Sequence, residues 1–200
     1  MQGTHDLLLA GLFFLSGFAA ILYQLVWQRM LFALVGINVD AVTLIVTTFI
    51  AGLGFGSLLG GYLSRRHRHR LVTMFALVEL GIGTFGVVSP ALFGIFREWA
   101  PAMSALQIAL ATAALILPPT MAMGATLPIL VTHAVARAPS VGLAVGTLYG
   151  VNTLGSAFAG FAAGLGVMHW LGQGGAVALA AAGNLTVAAT ALVAFRRTAR

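Results

Sequence analysis

One carboxylate lies deep in an apolar run of this 200-residue sequence: Glu79, in the stretch "LVELGIG". An ionised carboxylate at the centre of a bilayer is expensive, so Glu79 must face protein or water, and its environment decides whether it is charged. Two readings follow. Glu79 is a site for a proton or a cationic group, or it is a neutral acid bonded to a neighbouring helix.

The other residues with chemistry to offer are polar and uncharged. Asn184, in "AAGNLTV", is a second polar group inside an apolar run. Tyr149 and Asn152 stand one helical turn apart, so they can face one cavity, with Thr153 beside them. For Asn152 and Asn184 an interhelical hydrogen bond is the plainer account. In "LPPTMAMGATLPIL" (117–130), Pro118, Pro119 and Pro128 remove backbone donors and open the helical ladder around Thr120, Gly124 and Thr126. Carbonyls and hydroxyls freed there can coordinate a ligand, or neighbouring helices can repair the kink. In "ILYQLVWQRML" (21–31), Tyr23 and Trp27 fit the ring-rich outer interface of a bilayer, and Arg29 can snorkel outward. Gln24 is expected inside the bundle near a polar cavity.

Several chemistries are excluded. The sequence has no cysteine and four carboxylates in all. It shows no HExxH pair, no nucleophile elbow and no phosphate-cradling loop, so neither catalytic residues nor a metal or cofactor site is expected. His67 and His69 alternate with arginines whose field repels a further cation, and they suit lipid headgroups better than a metal.

The elements that must position these groups follow from composition. Hydrophobic residues make up 60% of the chain and charged residues 7%, too few charges to cover a water-soluble domain. Mean hydropathy is +1.03. The expected class is an all-α, polytopic membrane protein, because helices satisfy their own backbone in lipid. Six apolar runs are each long enough to cross a bilayer. They fall at about 7–27, 41–63, 71–96, 105–132, 141–168 and 174–195, in a single transmembrane domain. A cleaved secretory signal is not expected at residues 1–27, which lack a charged leader.

The net charge of +6 comes from arginine alone. Arg65, Arg66, Arg68, Arg70, Arg137, Arg196, Arg197 and Arg200 fall on one side of the expected spans, and Arg29 and Arg97 on the other. That asymmetry places both termini in the cytoplasm of a cell whose inner membrane holds the protein. The arginines suit anionic lipid rather than nucleic acid, since no basic face with stacking aromatics lies outside the apolar runs.

The two halves of the chain echo each other. "AGLGFGSLLGG" (51–61) pairs with "GVNTLGSAFAGFAAG" (150–164), and the Glu79 segment with the Asn184 segment. Three helices followed by three related helices have opposite orientations, the repeat that builds each half of a major facilitator transporter. Glycines at four-residue spacing, Gly52–Gly56–Gly60 and Gly142–Gly146–Gly150, let another backbone approach, within the bundle or at a dimer seam.

Five stretches taken in order, "FFLSGFAAILYQLVWQRML" (13–31), "AGLGFGSLLGGYL" (51–63), "LVELGIG" (77–83), "MGATLPIL" (123–130) and "LYGVNTLGSAFAGF" (148–161), carry a resemblance. They resemble the membrane region of spermidine synthase-like fusion proteins, in which a major-facilitator-like helical region precedes a soluble aminopropyltransferase-like domain. Two departures stand out. Gln24 replaces a glutamate frequent in that family, and the loop "GGYLSRRHRHR" lacks an acid to pair with its arginines. The resemblance implies half of a major-facilitator-like fold and a link to polyamines. The sequence ends at Arg200, so aminopropyl transfer by this polypeptide alone is not expected.

Two functions remain open. The first is small-solute transport by a homodimer or with a partner membrane subunit, using Gln24, Glu79, Thr126, Tyr149, Asn152 and Asn184 as the substrate-facing set. The second is a non-transporting module that docks a separate soluble aminopropyltransferase-like enzyme.

Overall fold

A computed structural model of the chain describes residues 2–37, 39–136 and 138–195, with side chains from Leu7 to Ala194 outside the two gaps. Six long helices follow one another: α1 (Gln2–Val35), α2 (Val39–Arg66), α3 (Leu71–Trp99), α4 (Ala105–Val135), α5 (Val141–Ala162) and α6 (Met168–Phe195). No strand occurs among the described residues. Five helical stretches are long and apolar enough to cross a membrane, at Leu7–Val35, Val39–Arg66, Arg68–Ala102, Ala105–Val135 and Val141–Ala194. The chain is thus an all-helical protein of multi-pass membrane character.

Local signals set the helix ends. Gly36 takes φ 82°, a conformation open to glycine at little cost, and its N–H closes α1 on the Phe32 carbonyl at 3.0 Å. Ser104 and Gln107 form a reciprocal capping box that starts α4, and Ser140 accepts from the Leu143 N–H at the start of α5. The last of the five apolar stretches is not one straight rod. A π-turn containing Gly166 at φ 129° separates α5 from α6, and Gly172 at φ 65° kinks the first turns of α6. The chain reverses there, since Asn152 of α5 and Gly183 of α6 both pack on α1, against residues 13–19.

Packing is dominated by three helix pairs: α2 with α4, α1 with α5, and α3 with α6, joined by contacts of α1 with α6 and of α3 with α4. The first two pairs share one device. Gly17 lies against the main chain of Asn152, and Gly155 against that of Phe14. In the other pair Gly124 lies against Leu53, and Gly56 against Met121. A Cβ at any of these four glycines would strike backbone, so the helices touch main chain to main chain. The contacting residues stand at i,i+3 throughout: Phe14 and Gly17, Met121 and Gly124, Leu53 and Gly56, Asn152 and Gly155. Both pairs are parallel: Gly52, Gly60 and Ser64 of α2 meet Thr120, Ala125 and Thr132 of α4 in the same order, and Phe13 and Gly17 of α1 meet Asn152 and Ser156 of α5. Exchanging α1, α2 and α3 for α4, α5 and α6 turns every major packing into another one, and returns the α3–α6 pair to itself.

The four-spaced glycines therefore part company. Gly52, Gly56 and Gly60 pack inside the bundle on Thr120, Met121 and Ala125, whereas Gly142, Gly146 and Gly150 have open space beside them.

One expectation is overturned. α1 does not finish at a bilayer interface near Trp27 but continues two turns to Val35. Tyr23 and Trp27 are fully buried, stacked at 4.7 Å, with Trp27 edge-on to Phe85. Their i,i+4 spacing is that of a buried helix face as much as that of an interface belt, and packing against α3 decides between them. Arg29 is exposed.

Candidate functional site

Two apolar clusters fill the bundle, one around Tyr23, Trp27, Ile82 and Phe93, the other around Phe13, Phe75, Ile129 and Leu130. Phe13 and Phe75 meet edge to face at 6.2 Å. Between Phe75 and Ile82 along α3 lies Glu79, fully buried. Its two oxygens accept from two helices: Ser16 Oγ of α1 donates to Oε1 at 2.6 Å, and Asn184 Nδ2 of α6 donates to Oε2 at 2.5 Å. Helical spacing explains the meeting. Ser16 sits on the buried α1 face of Ala19, Tyr23 and Trp27, and Glu79 on the α3 face of Ile82, Gly83 and Gly86. Gly83 has no side chain to hold α6 away, and a Cβ there would press on Leu185 and Asn184 of α6, at 2.9 and 3.2 Å.

The seam continues toward the end of α1. Gly86 leaves room for the Tyr23 ring, whose hydroxyl is buried without a hydrogen-bond partner. Beyond it Trp27 Nε1 donates to Ser89 Oγ at 3.0 Å, and Ser89 Oγ donates to the Gly86 carbonyl at 2.9 Å. Asn184 Oδ1 and Thr112 Oγ1 are also buried without partners. Interhelical bonds of this kind average about 0.6 kcal/mol each in membranes. Their arrangement specifies which helix faces meet more than it sets stability.

Glu79 and Asn184 are thus brought together, and the remaining four residues expected at a substrate site are not. Thr126 is buried but donates to the Met123 carbonyl of its own helix at 2.7 Å. Thr120 likewise donates to Ile116 and Leu117, and Thr132 to Pro128. α4 runs unbroken through its three prolines, and these hydroxyls bond their own helix and, for Thr132, also Ser64 of α2, rather than opening toward a ligand. Tyr149 and Asn152 do not face one cavity. Asn152 donates inward to the Phe13 carbonyl at 3.1 Å, while Tyr149 is 59% exposed on the outer side of α5. Gln24 is partly exposed on α1, off the face that carries Ser16 and Tyr23.

Ser16, Tyr23 and Ser89 join the polar seam although sequence reasoning did not place them there. Ser16 and Tyr23 lie seven positions apart, two turns along one helix face, as do Glu79 and Gly86, and that matched spacing was the available signal. Described residues also line cavities. One, of about 240 Å³, opens among α1, α4 and α5 beside Leu9, Leu130, His133 and Thr147. Another, of about 330 Å³, lies between α3 and α6 at Gly86, Pro90 and Gly174. Neither is lined by any of the six residues expected at a substrate site.

The arrangement can hold one proton or one charge in a place closed to water. The chain matches no protein-family model, no curated protein and no solved structure.

Proposed function

We propose that the chain is half of a transporter: six spans of a major-facilitator-like fold in the inner membrane, both termini cytoplasmic, completed by a second copy or a partner membrane subunit and taking part in movement of a small solute. The observation that carries this reading is the repeated glycine clasp, Gly17–Asn152 with Gly155–Phe14 and Gly124–Leu53 with Gly56–Met121. Helix triplets that repeat in opposite orientation are the architecture from which many secondary transporters obtain alternating access. The resemblance to spermidine synthase-like fusions puts polyamine-type cations first among the solutes to try.

The outer faces support an assembly. On α2, opposite its contact with α4, Thr43, Thr47, Ile50, Gly54, Ser57 and Gly61 form a stripe at alternating four- and three-residue spacing. On α5, Gly142, Gly146, Tyr149, Thr153 and Gly160 lie at the corresponding positions of an outer stripe, while Ser156 between the last two turns back to donate to the Gly17 carbonyl of α1. Hydroxyls and glycines suit helix contact in lipid better than lipid itself. Reconstitution into vesicles tests the proposal: uptake of labelled solute, with a dimer or larger species in mild detergent, is expected. A strictly monomeric protein without uptake would refute it.

A second reading draws on the exposed turn at Arg65, Arg66, Arg68 and Arg70, which offers a basic surface to a soluble protein. Recovery of a stoichiometric soluble enzyme with the membrane protein, in the absence of uptake, would favour docking.

A further inference from the structure

We propose that Glu79 is a proton-binding site, its carboxyl protonated and donating to Asn184 in the packed bundle and releasing that proton to water when α3 and α6 part. The proposal deepens the transport reading by naming the coupling ion, but the proton itself can be detected without transport.

The argument begins with what surrounds the carboxyl. It is fully buried, and its two recorded partners, Ser16 and Asn184, are neutral. Among the described residues no basic side chain pairs with it. Arg29 on α1 is exposed, as are Arg97 on α3 itself and His169 on α6. His133 lies at the far end of α4, beside the cavity there. The titratable neighbour within the core is Tyr23, neutral as a phenol, with its hydroxyl unpartnered. A carboxylate here would be an uncompensated buried charge, the most costly state open to the group.

The contact with Asn184 points the same way. A separation of 2.5 Å falls below the usual range for an amide N–H donor and within the short end of that for a carboxylic O–H donor. The two ends of an asparagine amide have nearly the same shape, so the atom facing Glu79 is fixed by chemistry rather than by outline. With Glu79 Oε2 protonated, the amide turns its oxygen inward to accept, and Ser16 still donates to Oε1. Either orientation leaves one amide atom unpartnered, as Asn184 Oδ1 is here, but only the protonated state removes the charge.

Release is a simple step: the Oε2–H bond breaks, water takes the proton, and a carboxylate remains. Water has to enter between α3 and α6, where the crevice beside Gly86, Pro90 and Gly174 already separates the two helices. The carboxylate then prefers the opened arrangement, and reprotonation favours closure.

Infrared spectroscopy tests this on the reconstituted protein. The sequence has two glutamates, so Glu98→Gln with ¹³C-labelled glutamate leaves Glu79 as the labelled carboxyl. The expected result is a protonated-carboxyl C=O band at neutral pH that carries the isotope shift. It should move on transfer to D₂O and give way to a carboxylate band as pH rises, with the helical amide band unchanged. Glu79→Gln, where it folds, should lack the band. No such band, a band fixed over the whole pH range of the folded protein, or stabilisation by sodium in its place would overturn the proposal. Proton binding without solute uptake would leave this inference standing and remove the transport reading.

Discussion

Asn184 on α6 meets Glu79 on α3 at 2.5 Å, where the two helices that exchange into each other cross. Replacing Glu79 by alanine removes both interhelical bonds and leaves a void among Ser16, Asn184 and the flanking cores. A loss of about 2–5 kcal/mol is expected, the range for large-to-small changes in packed interiors. Glu79→Gln keeps the shape and offers Ser16 and Asn184 both a donor and an acceptor, so its cost should stay under about 1 kcal/mol. Unfolding midpoints in mixed micelles measure the difference. Equal midpoints for the two variants would mean that the triad does not hold α1, α3 and α6 together.

The glycines divide into two classes by what stands beside them. At Gly56 and Gly155 a Cβ meets the main chain of Met121 and Phe14, which cannot yield as a side-chain tip can. Gly56→Ala and Gly155→Ala should each cost about 1–3 kcal/mol, the usual penalty of overpacking. Gly54 and Gly146 have open space, and there alanine should be neutral or stabilise the helix by up to about 1 kcal/mol. The same micelle titration, run on all four, would contradict the clasp if the two classes gave one result.

The contrast between these glycines shows what the sequence discloses. Long apolar runs, arginine-bearing turns and four-residue glycine spacing were legible because each follows from the solvent and from helix geometry alone. Which glycine stripe is covered was not, since Gly52 and Gly142 differ only in which helix lies opposite. Glu79 and Asn184 were legible as buried polar groups, whereas Ser16 was hidden among residues that read as ordinary helix filler. Tyr149 and Asn152 show the limit of local spacing: one turn apart, they still diverge when one hydrogen-bonds inward to Phe13 and the other points outward. Three-dimensional partners decide such cases.

Tryptophan fluorescence separates a buried Trp27 from an interfacial one. Trp99 and Trp170 are 63% and 77% exposed, so the variant Trp99→Phe, Trp170→Phe leaves the buried ring as sole emitter. Its emission should be blue-shifted and little quenched by acrylamide or by brominated lipid at any depth. Strong quenching by lipid brominated near the headgroup would return Trp27 to the interface. Ser89→Ala in that background should shift the emission by removing the partner of Nε1, with a stability change of about 1 kcal/mol or less.

The absence of cysteine makes the proposed assembly directly testable. Gly54 and Thr153 are exposed and occupy the same place in the two outer stripes. Each also lies next to a clasp residue, Leu53 or Asn152, that faces Gly124 or Gly17. Ser16, beside Gly17, bonds Glu79, so Thr153 lies near the level of the buried carboxyl. The exchange of α1–α3 for α4–α6 carries that level over to Gly54. Two copies packed stripe to stripe, α2 of one against α5 of the other, therefore bring these positions together. The double variant Gly54→Cys, Thr153→Cys should oxidise to a disulfide-linked dimer in membranes, seen as a doubled mass that reverts on reduction. Leu77→Cys, on the exposed surface of α3 outside both stripes, serves as the control and should remain monomeric. Cross-linking of the control as readily as the stripe pair, or no dimer from the stripe pair, would remove the second copy from this surface.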